Sequence, residues 1–169
     1  MKIGITGSSA GIGQCISELP FEFVHFNRND GNIHNAELVY QKLKDCDIFI
    51  NNVWDNDCQI KLLNYFFNKW RDLPKKIISI GSSVSTYNPS GTGYEGYVDL
   101  KRQLRQAHCD IVNLKTTKCK SYLVNPGVTD TKMTVYRKDK KMSTQDVANI
   151  VRFVIENKLY IPEIYFYVE

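Results

Sequence analysis

A tyrosine followed four residues later by a lysine is the arrangement in this chain that could transfer a proton. Residues four apart lie on the same face of a helix, and a lysine charge beside a phenol would favour the tyrosinate and lower the tyrosine pKa. With 10 tyrosines and 16 lysines in 169 residues, about one such pair is expected by chance. The sequence holds four: Tyr40/Lys44, Tyr65/Lys69, Tyr97/Lys101 and Tyr136/Lys140. The spacing alone therefore identifies no site.

A glycine-rich turn, Thr6-Gly7-Ser8-Ser9-Ala10-Gly11-Ile12-Gly13, follows the first apolar segment. We predict a strand over 2–6 and a helix over 11–19, so the turn leads into a helix start, where unpaired N–H groups and the helix dipole favour an anion. Gly7 permits the turn, Gly11 lets the backbone approach a phosphate, and Gly13 lets helix and strand pack closely. Glycine-rich loops also occur without a ligand, but the position directly after a strand favours a dinucleotide pyrophosphate.

With its TGxxxGxG spacing the turn resembles that of the short-chain dehydrogenase/reductase family, and four later segments follow the family's order. These segments are Asn51-Asn52-Val53-Trp54, Ile77-Ile78-Ser79-Ile80-Gly81-Ser82-Ser83, Tyr97-Val98-Asp99-Leu100-Lys101 and Asn125-Pro126-Gly127-Val128-Thr129-Asp130-Thr131. They are similar, in turn, to the family's Asn-Asn-Ala-Gly segment, its serine-bearing strand, its YxxxK pair and its Pro-Gly turn. Only Tyr97/Lys101 lies between the serine strand and the Pro-Gly turn, so the order along the chain selects this pair.

The resemblance implies an oxidoreductase acting on a small carbonyl or alcohol substrate. Tyr97 would be the general acid/base, and Lys101 would lower its pKa and bind the nicotinamide ribose. Ser82 would polarise the carbonyl; it is expected because it follows Ile80 by two residues, and Ser83 is the alternative. The family often adds an asparagine about two dozen residues before the serine. Asn56 fits that spacing and Asn64 fits it less well. A turn at a helix start is the other interpretation of Asn56.

The resemblance also implies a nicotinamide dinucleotide as cofactor. An acid at the end of the second strand would accept from the adenosine ribose hydroxyl, whereas a basic residue would pair with a 2′-phosphate. The strand here runs into Asn27 and Arg28 with no carboxylate before Asp30. Arg28 therefore favours NADP over NAD, with a solvated surface arginine as the alternative. The other expected cofactor-binding residues are Gly7, Ser8, Ser9, Gly11, Ile12, Gly13, Asn32, Ile33, Asn52, Val53, Trp54, Tyr97, Lys101, Pro126, Gly127, Thr129 and Thr131.

The hydrophobic pattern predicts strands that alternate with helices along the chain. Further strands are expected over 22–26, 47–51, 75–81, 121–125 and 160–168, and further helices over 35–44, 59–73, 97–107 and 143–157. Ser143 is the expected N-cap of the last helix, with Asp146 in the capping-box position. This alternation predicts an α/β fold, a Rossmann-type doubly wound parallel sheet between two helix layers. We expect one domain over residues 1–169.

The composition is that of an ordinary globular protein, with 43% hydrophobic and 24% charged residues. A net charge of +4 gives no indication of nucleic acid binding without a clustered basic face. The five cysteines are scattered, with no CxxC pair and no Cys/His ligand spacing, which predicts reduced thiols and no metal site. The chain opens on a strand rather than a signal peptide, and no apolar run is long enough to cross a bilayer. We therefore expect a cytoplasmic protein without a membrane partner.

The sequence departs from the family pattern in two ways. Trp54 stands where the family has glycine, and could narrow the pocket, stack on a planar substrate or fill space. The chain is also unusually short for the family, and the missing length falls around 56–76 and between 131 and 143. The second of these segments contains Lys132, Arg137, Lys138, Lys140 and Lys141. These cations could attract a phosphorylated or carboxylated substrate, and a solvated loop is the alternative.

The helix predicted over 59–73 is apolar nearly all round. One face must cover the sheet, so a second apolar face predicts a subunit contact and hence a homodimer or homotetramer. Two functions remain open at this point. The first is an NADP-dependent carbonyl reductase or alcohol dehydrogenase, and the second is a non-catalytic dinucleotide-binding sensor or scaffold. A sugar-nucleotide epimerase is less favoured because little chain remains for a nucleotide-sugar site.

Overall fold

A computed structural model of the chain describes residues 1–87 and 95–169. The predicted alternation of strands and helices is confirmed within these residues. In chain order the elements are β1 (Lys2–Thr6), α1 (Gly11–Ser17), β2 (Glu22–Phe26), α2 (Ala36–Leu43), β3 (Ile48–Asn51), α3 (Cys58–Trp70), β4 (Lys76–Ile80), α4 (Glu95–Val112), β5 (Lys120–Pro126), α5 (Thr144–Glu156) and β6 (Glu163–Phe166). Single 3₁₀ turns lie at Arg28–Asp30, Ser83–Ser85 and Lys132–Thr134.

The strands form a six-stranded sheet in the order β2-β1-β3-β4-β5-β6, and every neighbouring pair is parallel. The chain places β2 on one side of β1 and then returns to place β3 on the other. The strand order therefore reverses beside β1, and in doubly wound sheets ligands bind in the crevice at the carboxyl ends of the strands at such a point. This architecture confirms the predicted α/β doubly wound fold.

Helices cover both faces of the sheet because side chains alternate between the faces along each strand. Phe49, Ile77 and Leu123 share one buried cluster with residues of α2, α3 and α4. Ile50, Ile78 and Val124 share the other cluster with residues of α1 and α5. The result is the predicted three-layer arrangement, with a continuous apolar layer on each side of the strands.

The second apolar face of α3, which predicted a subunit contact, is covered within the chain. Phe66 stacks on Phe49 of β3 with ring centroids 3.9 Å apart and meets Tyr40 of α2 edge-on at 5.4 Å. The other fully or nearly fully buried apolar side chains of α3 are Cys58, Leu62, Leu63, Phe67 and Trp70. Because α3 packs against the sheet, α2 and α4 together, its apolar surface is satisfied without a partner subunit.

Several element boundaries differ from the predicted ones. The helix α4 continues past Ala107 to Val112 because Ile111 is buried and extends its apolar stripe. The strand β6 is confined to Glu163–Phe166 instead of 160–168, and α3 ends at Trp70 instead of residue 73. The predicted capping box of α5 is present: the Asp146 N–H donates to Ser143 Oγ at 3.1 Å, and the Ser143 N–H donates to Asp146 Oδ2 at 2.9 Å. Across residues 1–87 and 95–169, no helix combines the length and the apolar character needed to span a membrane.

Candidate active site

The glycine-rich turn lies at the carboxyl end of β1, where the strand order reverses. Gly7 has φ +69° and Gly11 has φ +56°, and both values lie in the left-handed region that favours glycine. Gly13 has a different constraint, since a Cβ there would lie 2.0 Å from the Gly7 carbonyl oxygen and 2.4 Å from Asn52 Nδ2. That amide donates to the same carbonyl at 2.8 Å. The turn is therefore fixed by an asparagine from the loop after β3, and Gly13 leaves the room for it.

The end of β2 lies beside this turn, and its polar side chains contact it. Ser8 is buried, and its hydroxyl lies 2.9 Å from His25 Nδ1 and 3.3 Å from Asn27 Oδ1. Asp30, the first carboxylate after β2, accepts from the Asn27 N–H at 2.7 Å and forms an ion pair with Lys42. The Lys42 hydrogen bond and the Asn27 N–H keep the pKa of Asp30 below its usual value. This carboxylate is committed to the local turn, while Arg28 is exposed.

The loops after β2 and β3 are connected where the family resemblance predicts the adenine. The Ile33 carbonyl accepts from Cys58 Sγ at 3.2 Å, and His34 Nε2 lies 2.9 Å from Asp55 Oδ2. Asn32 caps the backbone locally, since its Oδ1 accepts from the His34 N–H at 2.9 Å. Ile33 is therefore held in a defined, half-buried position, and Asn32 is exposed at the edge of the loop.

The segment after β3 reaches from the glycine turn to Tyr97. The Val53 N–H donates to Thr6 Oγ1 at 3.4 Å, beside the Asn52 contact described above. The Trp54 side chain is 44% exposed, and its ring lies 5.6 Å from that of Tyr97 between centroids, at 58°. Trp54 therefore packs directly on the expected acid/base residue and forms part of the wall of its surroundings.

Lys101 is buried one helical turn from Tyr97 and is bound by two neutral oxygens. Its Nζ donates to Gln59 Oε1 at 2.8 Å and to the Ile80 carbonyl at 2.9 Å, and lies 5.6 Å from the centre of the Tyr97 ring. The Gln59 amide nitrogen donates to the carbonyls of Asn51 at 2.7 Å and Ile80 at 2.8 Å. Because carbonyls can only accept, these two bonds leave the Gln59 oxygen to face the lysine.

Gln59 is a functional candidate that the sequence does not reveal, because a glutamine on an apolar helix matches no catalytic motif. Its contact with Lys101 becomes apparent only when the position of α3 relative to Lys101 is known. Asn56 itself adopts a left-handed backbone with φ +47° and donates to Asp55 Oδ1 at 3.1 Å. Its side chain is thus used in the turn before α3, in agreement with the alternative interpretation of that residue.

Burial changes the pKa of both members of the Tyr97/Lys101 pair. It lowers the pKa of Lys101 to about 7. It also raises the pKa of Tyr97, with the interaction with Ser82 opposing this shift more weakly. The lowering of the Tyr97 pKa that was expected from Lys101 therefore stays a prediction, and in the protein alone burial raises that pKa. The physical reason is that both charged forms lose hydration, and the lysine ammonium is directed at Gln59 and Ile80.

Ser82 follows β4 and begins the 3₁₀ turn Ser83–Ser85. Its N–H donates to Asn125 Oδ1 at 3.1 Å, and its Oγ accepts weakly from the Val84 N–H at 3.5 Å. Both Ser82 and Ser83 are buried, and Ser82 is the one whose hydroxyl influences the pKa of Tyr97. The structure therefore brings Ser82, Tyr97 and Lys101 together at the edge of the sheet that also carries the glycine turn.

The segment after β5 lies on the other side of the crevice. The Gly127 N–H donates to the Phe166 carbonyl at 3.0 Å, which fixes the turn after Pro126, and Thr129 Oγ1 donates to the Gly127 carbonyl at 3.2 Å. A methyl group placed on Gly11 would lie 3.5 Å from Thr131 Cγ2. Thr131 thus faces the glycine turn.

Two further expected cofactor residues, Ser9 and Ile12, differ in exposure. Ser9 is exposed in the glycine turn, whereas Ile12 packs against the α1/α5 cluster.

The cations of the loop after Thr131 contact other parts of the chain. Arg137 pairs with Asp139 at 2.8 Å, Lys141 lies 3.7 Å from Asp130, and Lys140 contacts the Glu169 carbonyl. Three of the five loop cations are therefore engaged by other groups of the chain, which agrees with the solvated-loop interpretation.

Solved structures with the same architecture are numerous. A short-chain dehydrogenase from Burkholderia cenocepacia in complex with NADP superposes with a TM-score of 0.82 at 17% identity, covering 97% of this chain and 86% of that one. An alcohol dehydrogenase from Thermococcus sibiricus complexed with 5-hydroxy-NADP gives 0.73 at 16% identity, covering 98% and 96%. The 3-alpha-hydroxysteroid dehydrogenase from a Pseudomonas species complexed with NADH gives 0.76 at 14% identity, covering 99% and 95%.

No protein-family model and no curated protein sequence matches the chain. The structural similarity nonetheless extends over nearly its whole length. On this evidence the chain has the fold of the short-chain dehydrogenases/reductases, which confirms at the level of fold the resemblance drawn from the glycine turn and the four later segments.

Proposed function

We propose that this protein is an NADP-dependent oxidoreductase of the short-chain dehydrogenase/reductase type, acting on a small carbonyl or alcohol. The observation that carries the proposal is the meeting of Ser82, Tyr97 and Lys101 at the sheet edge that holds the glycine turn. The bound dinucleotide would supply or accept the hydride. Tyr97 would donate or take the proton at the substrate oxygen, and the Ser82 hydroxyl would hydrogen-bond that oxygen.

The residues around the crevice fit a dinucleotide. The left-handed Gly7 and Gly11 leave the backbone of the turn open to a pyrophosphate, and Thr131 faces the same turn. Val53 and Trp54 lie between this turn and Tyr97, where the nicotinamide end would be held. In our proposal the Pro126–Thr129 segment borders the nicotinamide, and Lys101 contacts its ribose.

The arrangement at the end of β2 supports NADP over NAD. A cofactor without a 2′-phosphate is usually held by a carboxylate that accepts from the ribose hydroxyl. The first carboxylate after this strand, Asp30, is occupied by Lys42 and the Asn27 N–H. The exposed Arg28 can instead pair with a phosphate through two N–H groups.

The proposal is tested by titrating the protein with NADPH and with NADH, followed by turnover on a panel of carbonyl compounds. We expect Tyr97→Phe to bind NADPH like the wild type and to lose turnover by about 10²-fold or more, the usual contribution of a general acid. Turnover that survives this substitution would exclude the assigned mechanism.

We expect Arg28→Ala to weaken NADPH binding and leave NADH binding unchanged. Arg152→Ala on the outer surface of α5 is the matched control and should change neither.

Trp54 supports a second candidate function, a dinucleotide-binding sensor without turnover. Its indole packs on Tyr97 and occupies space that a substrate would need next to the acid/base residue. NADPH binding without turnover on any carbonyl, in both the wild type and Trp54→Gly, would favour this second function. Turnover that appears only in Trp54→Gly would show that the indole blocks the substrate.

We further propose a cytoplasmic location and a homodimer or homotetramer. The location is supported by the five free cysteines, which fit a reducing compartment.

The oligomer has less support than the sequence suggested, since the apolar surface of α3 is already covered by α2 and α4. Light scattering at micromolar concentration tests it directly, and a monomer would exclude it.

A further inference from the structure

Glu163, at the start of the edge strand β6, lies outside the set of residues that the proposed chemistry uses, yet four hydrogen bonds converge on its carboxylate from three side chains. Arg105 of α4 approaches with Nε at 2.8 Å from Oε1 and with Nη2 at 3.1 Å from Oε2. Tyr165 donates to Oε1 at 2.6 Å, and Asn125 donates to Oε1 through Nδ2 at 3.0 Å. We call Arg105, Asn125, Glu163 and Tyr165 the Glu163 cluster.

The cluster continues directly to Ser82. Asn125 donates to Glu163 with its nitrogen and accepts from the Ser82 N–H with its oxygen at 3.1 Å. A carboxylate can only accept, so it forces the amide nitrogen of Asn125 toward Glu163 and the oxygen toward Ser82. Without that carboxylate the amide could turn over and present its N–H₂ to the Ser82 N–H, donor against donor.

The local sequence is fitted to this contact. Gly81 directly precedes Ser82, and a Cβ at Gly81 would lie 2.0 Å from Asn125 Oδ1. The absence of a side chain at position 81 therefore lets the Asn125 amide reach the Ser82 backbone.

The same cluster also holds the helix that carries Tyr97 and Lys101. Arg105 follows Lys101 by four residues and Tyr97 by eight, so the three side chains lie along one face of α4. The bidentate contact of Arg105 with Glu163 ties this face to β6. The carboxylate is thus placed to set the position of Ser82 relative to Tyr97, through Asn125 on one side and α4 on the other.

We propose that Glu163 and Arg105 are positioning residues for the proposed reaction, acting on Ser82 through Asn125. This inference rests on the proposed oxidoreductase function. A partly exposed ion pair contributes little to stability in general, and Arg105 and Glu163 side chains are 36% and 18% exposed. The pair's consequence is therefore expected in the geometry of the Ser82 turn rather than in the folding free energy.

The test is a double-mutant cycle between positions 125 and 163. Asn125→Asp keeps the oxygen that faces Ser82 but places a second carboxylate oxygen against Glu163. We expect kcat to fall on the order of tenfold to a hundredfold, as misplacement of a reacting group does, with KM and NADPH affinity changed less than about threefold. The double variant Asn125→Asp/Glu163→Gln restores a donor opposite the new carboxylate. We expect it to recover at least about tenfold of the lost kcat.

A merely structural role would give a different pattern, since Asn125→Asp would then lower the free energy of unfolding and leave the kcat of the folded protein unchanged. Glu156→Gln on α5 is the matched control, because it removes an exposed ion pair with Arg152 and should leave kcat unchanged. Amide hydrogen exchange at Ser82 gives a second readout that needs no turnover. We expect exchange to speed up at least about fivefold in Asn125→Asp and to slow again in the double variant, following the local opening of that hydrogen bond.

The two readouts separate this inference from the proposed function. If the wild type turns over no substrate while Ser82 exchange follows the cycle as described, the oxidoreductase proposal fails and the positioning of Ser82 by the cluster stands. If the wild type is active, and the single variants at 125 and 163 retain kcat within twofold with unchanged Ser82 exchange, the positioning role is excluded. The same is true if the double variant is no better than Asn125→Asp.

Discussion

At the scale of single residues, Lys101 shows how burial sets the properties of a charged group. Its two hydrogen-bond acceptors, Gln59 and the Ile80 carbonyl, are neutral, so they orient the ammonium without compensating its lost hydration. The pKa of Lys101 accordingly falls to about 7 by burial. In the unfolded chain a lysine keeps a pKa near 10.4. The side chain of Lys101 therefore changes its charge near neutral pH. At pH values where it is protonated in the folded protein, its burial lowers the free energy of unfolding.

We predict that Lys101→Met changes how stability depends on pH. Between pH 7 and 10 the unfolded wild type binds one more proton at this position than the folded protein, so wild-type stability gains with rising pH. From pH 6.5 to 8.5 the gain over the variant should be about 2 kcal/mol. Urea unfolding of both proteins at the two pH values measures it. The control is Lys69→Met, at an exposed lysine of α3, and its unfolding free energy should change between the two pH values as that of the wild type does. If the unfolding free energy of Lys101→Met also changed as in the wild type, the low pKa of Lys101 would be contradicted.

At the scale of elements, the turn between β1 and α1 depends on two kinds of glycine. Gly7 and Gly11 are needed for their left-handed backbone. Gly13 lies inside α1 with ordinary backbone and is needed for space, because Asn52 and the Gly7 carbonyl lie against it. The distinction matters because the first kind governs the shape of the turn, while the second governs how β1, α1 and the loop after β3 fit together.

Gly13→Ala is therefore expected to destabilise the protein by about 1–3 kcal/mol, the usual cost of overpacking a tight site. It should also weaken NADPH binding, because the Asn52 contact that fixes the turn must move. The matched control is Gly96→Ala in the first turn of α4, where an added Cβ would meet no atom of residues 1–87 and 95–169 within 4 Å. That variant should be neutral or more stable by up to about 1 kcal/mol, since alanine is the better helix former. Equal destabilisation of the two variants would refute the steric argument.

The element order and the fold were accessible from the sequence because they depend on local pattern. The sequence alone shows the strand periodicity and the capping box at Ser143. It also shows the order of the family-like segments that contain Ser82 and Tyr97. None of these features requires knowledge of a tertiary contact. The contact between Gln59 and Lys101 was not visible, because it depends on how α3 and α4 cross over the end of β4. The second apolar face of α3 was misleading for the same reason, since periodicity shows that a face is apolar and not which element covers it.

At the scale of the whole molecule, α4 joins the candidate site to the far edge of the sheet. Tyr97 and Lys101 lie in its first half, Arg105 reaches β6, and His108 reaches β5. His108 is 1% exposed, and its Nδ1 lies 2.8 Å from Ser121 Oγ. Burial lowers the pKa of His108 to about 4, with smaller and opposing contributions from Glu163 and Arg105. The imidazole is thus neutral in the folded protein over the whole range in which a free histidine titrates.

This neutral histidine predicts how the entire fold responds to acid. The unfolded chain takes up a proton at His108 as the pH falls through about 6.5, whereas the folded protein resists until about pH 4. Stability is therefore lost as the pH falls between these values, by about 2 kcal/mol from pH 7 to pH 4.5 for this residue. His108→Gln keeps hydrogen-bonding capacity without the titration, so its unfolding free energy should lose about 2 kcal/mol less over the same range. The control is His34→Gln, at a histidine that is exposed and paired with Asp55. If His108→Gln and the wild type lost the same unfolding free energy between pH 7 and pH 4.5, the buried histidine would have no part in the acid response.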